Sequence, residues 1–395
     1  MKIRIWTFYI TIAFSIFFHQ IIWVSAADAA NKIMPLGDSI TEGNGDFDEA
    51  SYRRRLYKWL TGELLLTGVG YNPDFVGSLV NGIPDDFDKH NEGRPGWSDD
   101  QIVNGRPDSE GEGKLSDWLD AHQPQIVLLH IGTNQVDPSP DDVEAILDEI
   151  DAFSQNVWVV LARIINRNCI TDNPSCPESV TTMNFNTNVA NMAQARILAG
   201  DKTIIVDMEN GDVDVAVIDY HLDTENPPGD MWDNLHPAET GYAKMADLWF
   251  DSLMQILPQA DAGPDQNINE FETVTLDASA STDPKNGTLS YQWVQSPGTP
   301  DVDLLPDDQA EQPTFEAPDA GPTGITLTFT LTVTDEDALV STDTVDIVVA
   351  KILPQANAGP DQNVNEFDTV TLDASNSDGV ALTYQWTQTA GTVVS

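Results

Sequence analysis

The chain has 395 residues, and its 64 acidic side chains far outnumber its 18 lysines and arginines, which gives a formal net charge of -46 at pH 7. Such acidity excludes the nucleic-acid-binding class, because contacts to phosphates need clustered cations, and it disfavours an anionic membrane surface as a partner. The length is sufficient for two or three domains, and we interpret the charge as an aid to solubility.

Residues 1–26 are typical of a secretory signal peptide. Lys2 and Arg4 form a basic start, residues 5–24 are mostly apolar, and small residues precede a cleavage site after Ala26. The alternative is a retained membrane anchor, since the apolar run is long enough to span a bilayer. Two polar residues interrupt that run, so we predict cleavage and export of the chain.

Apolar, strand-like runs alternate with helix-like runs from residue 31 to residue 257. The predicted strands cover residues 32–36, 74–79, 125–131, 157–165 and 203–208. The predicted helices cover residues 50–66, 115–121, 141–153, 180–198 and 240–256. This alternation predicts a three-layer α/β/α fold around a parallel, doubly wound sheet.

The sequence changes character at Pro258, where helical periodicity stops. Residues 257–279 return almost unchanged as residues 353–375. Several alternating runs per unit, such as residues 326–333, predict all-β sandwiches. The second unit stops before its later strands, so we expect the chain to be truncated. The predicted domains are a signal peptide (1–26), an α/β domain (27–257), a β-sandwich (258–352) and a partial second sandwich (353–395).

The sandwich units resemble immunoglobulin-like modules of the PKD type. The matching features are the Tyr291-Gln-Trp293 strand, repeated as Tyr384-Gln-Trp386, and the strand that ends in Thr334-Asp335. We expect these modules to act as spacers or as surface- and glycan-binding parts. Because domain boundaries fall where few contacts cross, we also expect residues 27–258 to fold alone.

Polar residues follow several of the predicted strands and precede the last helix. Gly37-Asp38-Ser39 ends the first strand, Gly96 follows the second strand region, Asn134 follows the third strand, and Asp233 and His236 precede the last helix. Ligands of open α/β sheets bind at the carboxyl ends of the strands. A serine there needs a base, an orienting acid and oxyanion donors to act as a nucleophile, and these residues are of the required types.

The combination resembles the SGNH (GDSL-type) hydrolases, and within them it is most similar to carbohydrate esterases of the acetyl xylan esterase kind (carbohydrate esterase family 3). The matching segments are Met34-Pro-Leu-Gly-Asp-Ser-Ile-Thr41, Tyr52-Arg53, Asp74-Phe-Val-Gly-Ser78, Glu92-Gly93 with Pro95-Gly-Trp97, Leu129-His-Ile-Gly-Thr-Asn134, and His236-Pro237 with Gly241-Tyr242. One departure is Gln135, where the family often has aspartate. The resemblance implies a flavodoxin-like fold.

The resemblance also implies the roles of the site residues. Ser39 would be the nucleophile, His236 the base and Asp233 the residue that orients His236. The oxyanion donors would be the backbone N–H groups of Ser39 and Gly96 and the side chain of Asn134. Gly93 is the rival of Gly96 for that role.

Structural alternatives apply to each of these residues. Ser39 could cap a helix, Asn134 could cap the loop that follows it, and Asp233 could cap a turn and leave a Ser–His dyad. Asp38 is expected to bond the backbone of its own turn, and His130, in an apolar run, is expected to be a core histidine. For Trp97 and Trp232, a sugar subsite and core packing are both open.

Cys169 and Cys176 lie close together in sequence and are the two cysteines of the chain. In an exported protein such a pair is expected to form a disulfide that closes a short loop. The alternative is a metal site, which is disfavoured because no histidine or further cysteine lies nearby.

The sequence thus predicts a secreted, monomeric serine esterase that removes acetyl groups from a xylan-like polysaccharide without a metal or other cofactor. One alternative is a lipase-like or aryl esterase of the same fold. The other is a catalytically silent protein for glycan binding or adhesion, against which the presence of Ser39, Asn134 and His236 argues.

Overall fold

The computed structural model describes residues 30–64, 69–107, 111–134, 137–167, 177–211, 218–220, 224, 228–298 and 300–392. The predicted signal peptide, Gln135 and the pair Cys169 and Cys176 lie outside these residues. Among the helices in the described ranges, none has both the length and the apolar character that crossing a membrane requires.

A largely parallel sheet forms the centre of residues 31–257. Its strands are β1 (Asn31–Gly37), β2 (Pro73–Phe75), β3 (Leu79–Val80), β4 (His90–Gly93), β5 (Ile126–His130), β6 (Trp158–Arg163) and β7 (Thr203–Asp207). The order across the sheet is β3-β4-β1-β5-β6-β7, and β2 also pairs with β1. The short pairing of β3 with β4 is antiparallel, whereas β1, β5, β6 and β7 run parallel.

Helices cover both faces of this sheet. They are α1 (Ser39–Glu42), α2 (Arg53–Leu60), α3 (Asp99–Asn104), α4 (Leu115–His122), α5 (Asp141–Phe153), α6 (Pro177–Ala199) and α7 (Glu239–Leu253). One buried apolar cluster joins the sheet to α2 and α7 through Leu56 and Trp249. A second joins it to α4, α5 and α6 through Leu119, Ile146 and Val189. The predicted three-layer fold is confirmed.

Helices α1 and α3 were not predicted, and three further elements differ markedly from the sequence prediction. The predicted helix 50–66 begins only at Arg53, because Ser51 has a φ of 57°, outside the helical region. The predicted strand 74–79 is divided between β2 and β3. Strand β4 was missed because its sequence, His-Asn-Glu-Gly, has no apolar pattern, although three of its four residues are buried.

Residues 258–352 form a β-sandwich. Its strands are β8 (Gln266–Asn269), β9 (Thr273–Thr275), β10 (Ser290–Gln295), β11 (Thr314–Glu316), β12 (Ile325–Thr334) and β13 (Val340–Ala350). One sheet has the order β10-β12-β13-β8, and the other pairs β11 with β9. Trp293, Phe315 and Phe329 lie in the core between them, as alternation of buried and exposed positions predicts.

The turn between β12 and β13 docks on the amino-terminal end of the parallel sheet. The Asn31 amide nitrogen donates to the Val340 carbonyl at 2.8 Å, and its oxygen accepts from the Val340 N–H at 2.9 Å. The Asp337 carboxylate accepts from Trp158 Nε1 at 2.9 Å and pairs with Lys202. Asn31 and Trp158 are the first residues of β1 and β6, so the sandwich covers the edge where the strands begin.

This docking also includes apolar packing. Leu339, in the same turn, is 1% exposed and belongs to the apolar cluster of the α/β layers that includes Leu60 and Tyr71. Gly70 pairs with Thr342 as an antiparallel bridge. The expectation that few contacts cross near Pro258 is therefore wrong: alternation within each segment indicates a local core but does not show that two cores join.

Candidate active site

The turn that follows β1 presents Ser39. Asp38 is the N-cap of α1, and its Oδ1 accepts from the Ile40 N–H at 2.9 Å. The local role predicted for Asp38 is confirmed, and the alternative in which Ser39 caps the helix is wrong, because Ser39 is the first residue of α1. Capping by Asp38 leaves the Ser39 hydroxyl available for other partners.

Asp38 lies in an unfavourable environment for a charge. It is fully buried, and burial raises the pKa of its carboxyl group to about 6, an effect that the hydrogen bond from Ile40 only partly opposes. The turn that holds Ser39 thus contains a buried carboxyl group that titrates in the mildly acidic range.

A chain of hydrogen bonds links Ser39 to the loop before α7. Ser39 Oγ lies 3.0 Å from His236 Nε2, and His236 Nδ1 lies 2.9 Å from Asp233 Oδ2. These contacts join residues that are far apart in the sequence. The structure therefore brings together the three residues predicted as nucleophile, base and orienting acid.

Asp233 uses its two carboxylate oxygens differently. Oδ2 contacts the imidazole, whereas Oδ1 accepts from the N–H groups of Leu235 and His236, both at 2.7 Å. Asp233 therefore caps its turn and contacts the base at once, although the sequence posed these as alternatives. Partial burial acts to raise the pKa of Asp233, but the hydrogen bonds from His236 and Leu235 outweigh it and hold the pKa below its usual value. The carboxylate is thus ionised at neutral pH.

A side-chain hydrogen bond links Asn134 to the turn that contains Gly96. The Asn134 Nδ2 group donates to the carbonyl of Trp97 at 2.9 Å, so the side chain is tied to the turn that contains Gly96. In that turn the Trp97 N–H donates to the Arg94 carbonyl, and Gly96 has a φ of 74°, which favours glycine. Asn134 follows strand β5 in the chain, and its side chain contacts the neighbouring turn.

Gly93 has a structural reason for being glycine. Its N–H donates to Asn91 Oδ1 at 2.8 Å, so this donor is already occupied. A Cβ at position 93 would lie 2.4 Å from the backbone nitrogen of Glu42 in α1. Close approach to α1 explains Gly93, and Gly96, which is exposed, is the better candidate for an oxyanion donor.

His130 and the two tryptophans occupy distinct environments. His130 is fully buried at the end of β5, and burial lowers the pKa of its imidazole to about 4, as expected for a neutral core histidine. Trp97 is 2% exposed and packs against Trp118, with 5.9 Å between ring centroids. Trp232 is 57% exposed. Core packing therefore accounts for Trp97 but not for Trp232.

Two buried arginines that the sequence analysis left without a role shape the site. Arg94 pairs with Glu92 at 2.5 Å, and its guanidinium lies 4.6 Å from the centroid of Trp118. This pair anchors the turn that leads to Gly96. The available signal for a buried role of Arg94 was its position between Gly93 and Pro95, in a segment where apolar and polar residues do not alternate.

Arg53 is the second of these arginines. It is fully buried and donates to five backbone carbonyls, those of Thr41, Glu42, Glu49, Asn81 and Lys89. Burial lowers the pKa of its guanidinium to about 10, which leaves it charged at neutral pH. Arg53 therefore fixes the loop between α1 and α2, next to Ser39.

Among the described residues, no group of three or more histidine, cysteine, aspartate or glutamate side chains is arranged to hold a metal ion.

Comparison with known families agrees with this geometry. The family described as GDSL-like Lipase/Acylhydrolase matches residues 33–249, which is more than half of the chain, and the protein belongs to this family of hydrolases. A family described as a PKD domain matches residues 262–349. The chain thus combines a GDSL-type hydrolase with a PKD module.

Individual relatives match parts of the chain. A multidomain esterase of Ruminococcus flavefaciens is 29% identical over 265 residues, which cover 62% of this chain and 31% of that protein. The dyslexia-associated protein KIAA0319-like protein of Mus musculus is 36% identical over 138 residues, or 33% of this chain and 13% of that protein. The chain therefore spans less than a third of either relative.

Among solved structures, the family 3 carbohydrate esterase of Clostridium thermocellum is 29% identical. The match covers 57% of this chain and 96% of that chain, with a TM-score of 0.44.

Proposed function

We propose that the protein is a secreted serine esterase that removes acetyl groups from an O-acetylated polysaccharide of the xylan type. The observation that carries this proposal is the hydrogen-bonded chain from Ser39 through His236 to Asp233. It lies at the carboxyl edge of the sheet, where ligands of such folds bind. Membership of the GDSL-like hydrolases supports the same reaction class.

In the first half of the reaction, Ser39 Oγ attacks the carbonyl carbon of the acetyl ester while His236 Nε2 accepts its proton. The tetrahedral intermediate then collapses, the bond to the sugar oxygen breaks, and His236 returns the proton to that oxygen. Asp233 keeps the second imidazole proton on Nδ1 and stabilises the imidazolium that forms. The products are a free sugar hydroxyl and acetylated Ser39.

In the second half, water attacks the acetyl group on Ser39 while His236 accepts a proton from the water. Collapse of the second tetrahedral intermediate breaks the bond to Ser39 Oγ, which regains a proton from His236. Acetate leaves, and the enzyme returns to its starting state. No oxidant or reductant is required.

Both tetrahedral intermediates carry an oxyanion that needs hydrogen-bond donors. An asparagine amide nitrogen carries two hydrogens, and one on Asn134 is directed at the Trp97 carbonyl. The second is then available for the oxyanion, in an orientation that the first contact fixes. We assign one remaining donor to the N–H group of Ser39, because the first N–H groups of a helix have no partner within the helix. We assign the other to the N–H group of Gly96, which lies in the turn that Asn134 contacts.

The choice of a carbohydrate ester rests on the resemblance of the sequence motifs around Ser39, Asn134 and His236 to carbohydrate esterases, and the relatives support the broader esterase class. The Ruminococcus flavefaciens protein is named a multidomain esterase, and the PKD match accompanies the hydrolase here in the same chain. This combination also supports action outside the cell. We further propose that the enzyme acts there as a monomer on an acetylated polymer. The module would then hold the enzyme near such a polymer.

Acetate release tests this proposal. The full chain should release acetate from acetylated xylan and hydrolyse p-nitrophenyl acetate, and Ser39→Ala should abolish both while retaining the wild-type circular dichroism spectrum. Activity restricted to long-chain p-nitrophenyl esters would instead indicate a lipase-like enzyme. Absence of any turnover in a folded wild-type protein would indicate a silent binding protein.

A further inference from the structure

The exposed indole of Trp232 lies on the same tight loop as the base of the site. The backbone N–H of Trp232 donates to the backbone carbonyl of His236 at 2.9 Å, and Met231 pairs with Pro237 as an antiparallel bridge. These contacts close the loop around Asp233. An indole that is 57% exposed is therefore held beside the site without packing into the core.

A second loop, residues 42–49, lies against the first. A Cβ built on Gly45 would be 3.0 Å from Trp232 Cβ and 3.1 Å from His236 Cβ. A cavity of about 320 Å³ opens in this loop, and its lining residues are Glu42, Gly43, Asn44, Gly45, Asp46 and Glu49. Phe47, in the same loop, is 89% exposed. The exposed Trp232 and the polar cavity thus lie on two loops that meet at Gly45, and His236 Cβ lies beside the same glycine.

The second loop is held in place before any ligand arrives. Arg53 donates to the carbonyls of Glu42 at 2.8 Å and Glu49 at 3.2 Å, which are the two ends of the loop. Within it, the Asp46 carboxylate accepts from the N–H groups of Ala50 and Ser51 at 3.0 and 2.9 Å. Such preorganisation lowers the entropy lost when a ligand binds.

The chemistry of these loops favours a neutral sugar. An indole offers a flat apolar surface with a polar edge, which suits the apolar face of a pyranose, and the carboxylates of Glu42 and Glu49 are acceptors for sugar hydroxyls. The same carboxylates, in a chain of net charge -46, repel fatty-acid anions and anionic lipid surfaces. Aromatic side chains beside a few polar groups are typical of ligand sites.

We infer that Trp232 and loop 42–49 form a subsite for a pyranose unit of the polysaccharide next to the acetylated unit. This inference rests on the proposed function, because it assigns the neighbour of the sugar whose ester is attacked at Ser39. Trp232 supplies the stacking surface and the loop supplies hydrogen-bond acceptors. The subsite selects polymeric sugar esters over small esters, since a small ester does not reach it.

The test compares Trp232→Ala with the full-length wild type on two substrates. The loss of kcat/KM on soluble acetylated xylan should exceed the loss on p-nitrophenyl acetate by on the order of tenfold. Leu198→Ala, an 82% exposed apolar residue at the end of α6, is the matched control and should leave both values unchanged. Equal losses on both substrates would show that Trp232 supports His236 only, and would overturn the subsite.

A binding measurement separates this inference from the proposed function. Unacetylated xylo-oligosaccharides should inhibit p-nitrophenyl acetate hydrolysis competitively in the wild type, with an inhibition constant raised about tenfold in Trp232→Ala. Equal inhibition of both proteins would overturn the subsite even if acetylated xylan is a substrate. A wild type that hydrolyses p-nitrophenyl acetate, but neither releases acetate from polysaccharide nor binds the oligosaccharide, would overturn both.

Discussion

The side chain of Asn31 and the backbone of Val340 exchange two hydrogen bonds, with N···O distances of 2.8 and 2.9 Å. This is the pattern by which paired residues in neighbouring antiparallel strands bond, with an asparagine amide in place of one backbone. Asn31 is fully buried and also donates to the Tyr71 carbonyl. One side chain thus joins the first strand of the hydrolase to the sandwich.

Replacing this side chain should destabilise the whole chain. Asn31→Ala leaves the N–H and carbonyl of Val340 without these partners in a buried place, and each unsatisfied group costs about 1–3 kcal/mol. We expect the free energy of unfolding to fall by about 2–5 kcal/mol in a urea titration. Asn267→Ala, at an exposed position on β8, is the control and should change it little. An Asn31→Ala protein with an unchanged free energy of unfolding would show that the docked arrangement does not hold in solution.

The docking also predicts cooperative unfolding of the hydrolase and its module. Asp337 accepts from Trp158 and pairs with Lys202, so Asp337→Ala removes two contacts that cross the interface. Calorimetry of the wild type should give one transition for residues 30–352, because the two units share a buried surface. In Asp337→Ala we expect the transition to broaden or divide. Two well-separated transitions in the wild type would contradict shared folding.

Asn134→Ala should lower kcat by about 10²–10³-fold with little change in KM, because an oxyanion donor acts in the transition state. The measurement is the initial rate on p-nitrophenyl acetate over a range of concentrations. Asn188→Ala is a matched control, since the Asn188 amide also donates to a backbone carbonyl, that of Pro138, at 2.7 Å. An Asn134→Ala enzyme with unchanged kcat would remove this residue from the site.

Substitution of Gly93 and of Gly96 by alanine should have different effects. In Gly93→Ala the new Cβ would clash with Glu42 in α1, so we expect a lower melting temperature. In Gly96→Ala no atom of the described residues lies closer than 4.0 Å to the new Cβ, and the cost is that of the left-handed φ, about 1–2 kcal/mol. We expect Gly96→Ala to fold and to lose at least about tenfold in kcat, because relaxation of this φ would turn the N–H away from the oxyanion. Full activity in Gly96→Ala would shift the oxyanion role elsewhere.

Asp38 should make stability depend on pH in the acidic range. Burial raises its pKa from the usual 3.8 to about 6. Between these values the folded chain binds more protons at this position than the unfolded chain, so the free energy of unfolding falls as the pH rises. Relative to Asp38→Asn, the wild type should lose up to about 3 kcal/mol from about pH 4 to pH 6 and then level off.

Urea titrations of both proteins at several pH values measure this difference. Other titrating groups, such as His130, are present in both and cancel. A wild type that gains stability relative to the variant as the pH rises would show that Asp38 is held as a favoured carboxylate.

Much of the α/β domain could be predicted because its patterns are local. Helix α5 has the predicted bounds, Asp141–Phe153, because its apolar residues recur at the helical period. Strand β5 is continuously apolar, as expected for a strand buried on both faces. The candidate site residues could be proposed because each follows a strand or precedes a helix, and the fold brings Ser39, His236 and Asp233 together.

Other features depend on contacts that no local pattern records. Strand β4 is polar in sequence and is buried because Glu92 meets Arg94. Asn31 precedes an apolar run, and the residues next to it in the sequence do not indicate that it bonds to Val340. Arg53 is one of three consecutive arginines, and only the surrounding carbonyls distinguish it from its two half-buried neighbours. These cases share one property, a buried polar group whose partners are distant in the chain.

The sandwich contacts the sheet at Asn31, where β1 begins, whereas Ser39 follows the other end of β1. Strand β1 runs from Asn31 to Gly37, and at about 3.3 Å per residue its two ends lie roughly 20 Å apart. A chain anchored to a surface through its carboxyl-terminal part would therefore hold its candidate active site on the side away from that surface. Such an enzyme would hydrolyse the esters in front of it and leave those of the material that anchors it untouched.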